Sequence, residues 1–397
     1  MAAPPSTSSP AALRSLLTSY ADLNYPSNDV QYLTDAPSPL EFMRIVSRNR
    51  PVIIRNAMND WPAMSGNRKW NVEYLKRQMG DSEVMVAETP LGNADSIVEQ
   101  QGIDYFVKPH TTHLPFQHFM TTLLSTTSAE SPSRVLYAQS QNSNLTHEYA
   151  SLAPDVPSTI PWASIALDQP SPDATNLWIG THHSVSSLHK DPYQNLYGVV
   201  LGTKIFTLIN PLGIVAAKEK KVRSATYTKQ DDGTFSITPD PTTPEATGSD
   251  ANVDDGTIKW PSVDLEEYFS LPEYERNGSL EEISDSDPLK WIKLATPIRI
   301  EVKAGEMLYL PALWYHQVAQ RVDEQEGVCI AVNYWYDMDF SGPFVSTVDY
   351  VRDTTAQLVQ AEEEEQEQRK KIENEAKHPT NKVWCGVDTN YDWMKLM

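Results

Sequence analysis

Two blocks of short, β-branched and aromatic segments, far apart in the chain, constrain the fold more than any other feature. In the first, Asn195 to Leu201 and Lys204 to Ile209 flank Gly202-Thr203, a hairpin-like pair. The second contains "IRIEVKAGEMLYLPALWYHQVAQ" and "GVCIAVNYWYDM", again punctuated by Gly and Pro. Further strands are suggested by Pro51 to Arg55, "SEVMVAE", "VLYAQ" and "NLWIG". Helical spacing appears earlier, in "AALRSLLTSYADL" and in "SPLEFMRIVSRNR", which carries its own capping residues. Many short strands with tight turns predict a mainly β fold with flanking helices, either a barrel or a double-sheet jelly roll.

The rest of the chain divides around those blocks. Residues 1–37 form a Pro/Ser-rich extension with a short helix, and residues 38–345 hold the main domain. An acidic insertion at about 228–289 interrupts it, predicted to be largely disordered at its centre, with "VDLEEYFSLPEY" an ordered patch. From Gln230 to Leu289 there are sixteen acidic residues against two basic ones, so most of the net charge of −21 is local. Such a run reads as solvated surface. Residues 346–378 have the composition of a charged helix, acidic first and basic later, and residues 379–397 form an aromatic tail.

The same numbers exclude several classes of partner. An acidic chain without a concentrated basic face is not built to grip nucleic-acid phosphates. No apolar stretch is long enough to span a membrane, and the first residues lack the pattern of a signal peptide, so cytosol or nucleus is expected. Two cysteines, Cys329 and Cys385, are too few for a disulfide framework or a zinc cluster. Any metal site must therefore use histidines and carboxylates.

One His-x-Asp occurs, His189-Lys190-Asp191. With 9 histidines and 53 acidic residues in 397 positions, chance supplies about one such match, so only its setting is informative. In a strand, positions i and i+2 face the same way, which projects His189 and Asp191 together and turns Lys190 away. A third ligand must come from another strand. His110, His113, His118 and His147 lie in loop or helix-like sequence, His378 adjoins Pro379, and His182 and His183 fall in an exposed loop. His316, in "LPALWYHQVAQ", lies on a strand that a closed barrel could bring opposite His189. Two histidines and one carboxylate leave open positions on an octahedral metal, as in non-haem Fe(II) oxygenases, whereas zinc would take three ligands and a water. Lys204 shares a strand face with Phe206 and Leu208, which directs an ammonium into an apolar side where an anionic ligand would relieve its burial.

These segments resemble the JmjC-domain family of Fe(II)- and 2-oxoglutarate-dependent oxygenases, in particular its lysyl-hydroxylating members. The resemblance runs from roughly Pro39 to Phe340. It is carried, in order, by "RPVIIRNA", "IPWAS", "NLWIG", "SSLHKDPYQNLYGVVLGTKIF", "AGEMLYLPALWYHQV" and "IAVNYWYDM". It implies a double-stranded β-helix, the cupin form of the jelly roll. The family's metal triad falls on His189, Asp191 and His316, and its 2-oxoglutarate-binding lysine and tyrosine on Lys204 and Tyr137. Ser186, Asn195 and Asn333 match positions near the cofactor, although Thr is commoner than Ser at the first.

What the resemblance implies is an enzyme that uses Fe(II), 2-oxoglutarate and O₂ to hydroxylate a protein side chain. Its substrate would be a lysine of a translation-factor-like GTPase, modified at C-3, and its C-terminal helix would be of the kind that related enzymes use to form homodimers. Three alternatives stay open: demethylation or cleavage of a methylated tail, zinc-dependent hydrolysis on the same ligands, and a non-catalytic scaffold. The acidic insertion and the aromatic tail depart from the family pattern and bear on which substrate is admitted.

Overall fold

A sheet covered by helices on one side and by a second sheet on the other must be apolar on both faces, and four strands here are written that way. A computed structural model describes residues 9–66, 69–127, 130, 132–241 and 256–358. At its centre are eight strands, numbered β1 (Ala174–Gly180), β2 (Val185–His189), β3 (Tyr193–Leu201), β4 (Thr203–Ile209), β5 (Ile298–Lys303), β6 (Met307–Leu310), β7 (Tyr315–Arg321) and β8 (Cys329–Asp337). They form two facing sheets in the orders β6-β3-β8-β1 and β5-β4-β7-β2. Val52–Ile54 and Gln31–Leu33 extend the first sheet, and Asn93–Ala94 extends the second. This interleaved order is the double-stranded β-helix: apart from β4 and β5, successive strands alternate between sheets, so β3 and β4 do not close the expected hairpin, and β2 and β7 become neighbours despite their separation in sequence.

Burial follows the layers. β1, β6 and nearly all of β3 and β8 are buried along their lengths, whereas β5 alternates buried and exposed because its outer face meets solvent. In β8, Ile330, Val332, Tyr334 and Tyr336 pack outward against Phe42, Trp61, Phe116 and Tyr149. Ala331, one position away, belongs instead to the cluster between the sheets, with Trp178, Tyr197, Phe206 and Val318. Each large apolar side chain so buried contributes about 1.5–3 kcal/mol.

The helix Pro39–Arg48 shows how local sequence positions distant chemistry. Ser38 and Glu41 form a reciprocal capping box at its start, and Asn49 closes it in the left-handed conformation at φ 47°. The Oδ1 and carbonyl oxygen of Asn49 each accept a hydrogen bond from Trp314 Nε1 at 2.8 Å. That indole lies two residues before His316, so the helix end is tied to the strand that carries it.

The acidic insertion is more ordered than its composition suggests. Its strands Phe235–Pro239 and Thr257–Pro261 pair with Glu219–Lys229, most of which precedes the insertion and which pairs in parallel with Ile103–Lys108, itself paired with Ser96–Gln100. A sheet therefore forms from two distant segments, and its exposed face explains the polar sequence. Residues 242–255, which contain most of the centre expected to be disordered, lie outside the described residues. "VDLEEYFSLPEY" holds the helices Glu266–Ser270 and Glu273–Arg276, anchored by the buried Tyr268.

Residues 343–358 are helical, and Val348, Val351 and Leu358 pack with Leu13 and Leu17 of the N-terminal helix Ser9–Leu23. The remainder of the expected charged helix and the aromatic tail lie outside the described residues. Among the described residues no helix is long and apolar enough to cross a membrane.

Candidate active site

The ladder between β2 and β7 sets His189 directly opposite His316, and their ring centroids are 4.2 Å apart. Strand pairing ends at His189, but the chain stays beside β7: Leu313 N–H donates to the Asp191 carbonyl at 2.9 Å. Asp191 Oδ2 thereby comes within 3.7 Å of His189 Nε2 and 3.5 Å of His316 Nε2. One ligand atom from each of the three residues lies within 4.8 Å of the others. Lys190 turns away, as expected, and donates to Glu219 and to the Tyr315 hydroxyl.

The protonation pattern suits a cation. His189 Nδ1 faces the Ser187 carbonyl at 2.7 Å, and His316 Nδ1 faces the Trp314 carbonyl at 2.9 Å. A carbonyl can only accept, so each Nδ1 carries the proton and each Nε2 presents its lone pair toward Asp191. Burial, reinforced by the neighbouring His316, lowers the pKa of His189 and keeps it neutral. Burial alone would raise Asp191, but attraction to the two imidazoles, which are protonated at the acid pH where the carboxyl titrates, lowers it to about 2, so the carboxylate is ionised where the histidines are neutral. Two neutral nitrogens and one carboxylate are the donor set of a facial triad.

The triad opens into a cavity of about 620 Å³ whose lining includes Tyr137, Trp178, Ser186, Asn195 and Asn333. Lys204 lies behind Tyr137 and Tyr197 and is 1% exposed. Its ammonium donates to Tyr137 Oη at 2.9 Å and to Gln320 Oε1 at 2.5 Å. Both partners are uncharged, and among the described residues no carboxylate pairs with it. A buried cation held only by neutral acceptors fits an anionic ligand arriving beside it. Asn333 accepts from Trp178 Nε1 at 2.8 Å and donates to Asn195 Oδ1 at 3.1 Å, a buried chain that leaves the Asn195 amide N–H groups for the cavity.

Not every histidine fell where its sequence suggested. His110 and His113 lie on the strand His110–Pro115 rather than in a loop or helix, and His183 is partly buried rather than exposed, whereas His118 on the helix Phe116–Thr127 and the exposed His182 are as expected. None of them joins the triad. Three residues of the site were not singled out from sequence. Gln320 shares a face of β7 with His316, so strand parity could have found it. Trp260, from the insertion, stacks parallel to the His189 ring at 6.2 Å and donates to Ser187 Oγ at 3.3 Å. Asp95 lines the cavity from a turn that carried no signal.

Comparison with known proteins agrees with this geometry. A family model described as a cupin-like domain matches residues 37–342. The chain is 39% identical to the human bifunctional peptidase and (3S)-lysyl hydroxylase JMJD7, over 83% of this chain and 89% of the relative. It is 34% identical to JmjC domain-containing protein E of Dictyostelium discoideum, covering 81% of this chain and 87% of that one. Similarity to the lysine-specific demethylase JMJ32 of Arabidopsis thaliana is also 34%, over 77% and 80% of the two chains.

Proposed function

The chain belongs to the cupin-like JmjC family and is a 2-oxoglutarate-dependent oxygenase, and from that premise we propose that it hydroxylates a lysine side chain of a protein substrate. The observation that carries this reading is the pairing of the His189, Asp191 and His316 donors with a buried, carboxylate-free Lys204 in one site. Fe(II) would be held by the triad, and the far carboxylate of 2-oxoglutarate by Lys204 and Tyr137. Together with O₂, that pair supplies the oxidising power to hydroxylate an unactivated C–H bond while 2-oxoglutarate becomes succinate.

The chain's own residues bind and orient. The imidazoles, fixed by the Ser187 and Trp314 carbonyls, keep their lone pairs convergent without rearrangement. Lys204 and Tyr137 select a dicarboxylate of fixed length. Asn195, Asn333 and Trp178 hold a rigid polar wall, and Trp260 with Phe106, whose rings are 4.4 Å apart, forms an apolar one. The lysine-bearing client is proposed to be a translation-factor-like GTPase, as the family resemblance suggests, encountered in the cytosol or nucleus. Hydrolysis and scaffolding are less well supported, because neither has a use for a carboxylate anchor at Lys204. A C-terminal-helix homodimer is a further proposal of the same resemblance.

Anaerobic titration with Fe(II) and 2-oxoglutarate, followed through the visible charge-transfer band, tests the site. The band should form in the wild type and be lost in Lys204→Ala. Its persistence in that variant would overturn the assignment. Mass spectrometry for a +16 Da lysine in candidate GTPases tests the substrate.

A further inference from the structure

A lysine offers two things to a binding site, an apolar stem and a charged tip, and an enzyme that oxidises the stem must hold the tip elsewhere. The ammonium lies four bonds beyond C-3, so its partner belongs on a different wall of the cavity from the metal ligands. Asp95 stands on such a wall. It follows Asn93–Ala94, whose residues pair in parallel with Val185 and Ser186 of β2, which places it one strand over from the segment leading to His189. Ser187 Oγ donates to the Asp95 carbonyl, fixing the turn to β2. The backbone of Asp95 is in the left-handed region at φ 54°, a conformation that Asp tolerates better than most residues.

Asp95 lines the same cavity as Trp260, Phe106 and His189. The nearest cation on the same lining, Lys108, is engaged elsewhere: its Nζ lies 2.8 Å from Asp240 Oδ2, which Ser224 and Thr226 also hold. The charge of Lys108 favours the ionised form of Asp95 without forming an ion pair with it, and Gln139 adds a hydrogen bond. Among the described residues no cation forms an ion pair with Asp95. Burial pushes its carboxyl up to about 6, a cost that an incoming cation relieves. The wall thus provides an apolar surface next to the metal centre and an unpaired carboxylate beyond it.

We propose that Asp95 receives the ammonium of the substrate side chain while the Trp260 and Phe106 rings line its aliphatic stem. This deepens the lysine reading above and rests on it. Asp95 would then set specificity for a cationic side chain, taking no part in holding iron or 2-oxoglutarate.

The test is binding rather than turnover. Wild-type protein and Asp95→Asn, each loaded with Mn(II) and 2-oxoglutarate, are offered two degenerate peptide pools with identical flanks, centred on lysine or on norleucine, which keeps the four-carbon stem and lacks the ammonium. Retention on the immobilised protein is read by mass spectrometry. The wild type should favour lysine by about tenfold or more, and Asp95→Asn should lose that ratio, because a charged group has lost its partner. Asn adopts the left-handed region as readily as Asp, so the variant keeps its turn. Equal retention of the two pools by the wild type, retention of neither, or an unchanged ratio in Asp95→Asn would each overturn the proposal. Intact discrimination without any +16 Da product on lysine would leave Asp95 a cation receptor and sink the lysyl-hydroxylase reading instead.

Discussion

His189 and His316 form a cross-strand pair between β2 and β7, with their Nε2 atoms turned to the same carboxylate, Asp191. The pair exists only because the jelly-roll order makes β2 and β7 neighbours. Metal binding and folding of this ladder are therefore linked. At a metal concentration one hundred times Kd, binding should add about 2.7 kcal/mol of stability. We expect Mn(II) to raise the Tm of the wild type by several degrees, EDTA to reverse the gain, and His316→Ala to show neither effect in a thermal scan. A metal-dependent shift that survives in His316→Ala would show that the ion binds elsewhere.

Gly180, at the end of β1, should matter to 2-oxoglutarate although it cannot touch it. A Cβ there would come within 2.6 Å of Gln320 Nε2 and 2.7 Å of the Tyr137 ring. Both side chains fix the Lys204 ammonium, so Gly180→Ala should displace the anchor. The expected result is a rise of about tenfold or more in the KM for 2-oxoglutarate, by analogy with loss of a ligand-orienting group. An unchanged KM for the co-substrate, with the protein folded by circular dichroism, would contradict the anchor's geometry.

Asp95 should make the protein less stable at neutral pH. Its carboxyl titrates near 6 in the folded state against about 3.8 when exposed. As the pH rises through that window the unfolded chain loses its proton first, so stability falls between about pH 4 and 6 and the cost persists above it. Asp95→Asn removes the titration and should be more stable than the wild type at pH 7.5, by at most about 3 kcal/mol. Denaturant unfolding at pH 7.5 and 4.5 should show that advantage shrinking at the lower pH. An advantage independent of pH would mean that burial of this carboxyl is not its source.

Trp260 belongs to the insertion but stands in the active site, against Phe106 and parallel to His189. Trp260→Ala should lower kcat/KM for a peptide substrate by about tenfold or more, since an aromatic anchor in a binding wall is removed. The KM for 2-oxoglutarate should stay within about twofold. Steady-state kinetics with each substrate varied separately measures the split, and equal losses on both would point to a general collapse of the site.

Much of the catalytic frame was legible before any coordinates. The alternation in "KIFTLI" aimed Lys204 inward with Phe206 and Leu208, and all three are buried. "VLYAQ" and "NLWIG" read correctly as strands because β-branched and aromatic runs bounded by turn residues have few other solutions. The insertion was harder. Its strands pair with Glu219–Lys229, a strand that mostly precedes it and whose parallel partner, Ile103–Lys108, lies more than a hundred residues earlier, and no local pattern announces such a pairing.

The division between the two levels has a physical basis. Period-two alternation and turn chemistry act between adjacent residues, so the chain alone established a mainly β fold of short strands and the inward aim of Lys204, whereas Asp191 lies just past the end of its expected strand and meets His189 through the turn that follows. Which side chains meet across the cavity depends on how distant segments cross. Gln320 behind Tyr137, Trp260 against His189, and Asp95 on the wall beside Ser187 are products of that crossing, because sheet closure and hydrophobic burial bring together residues that no short-range pattern relates.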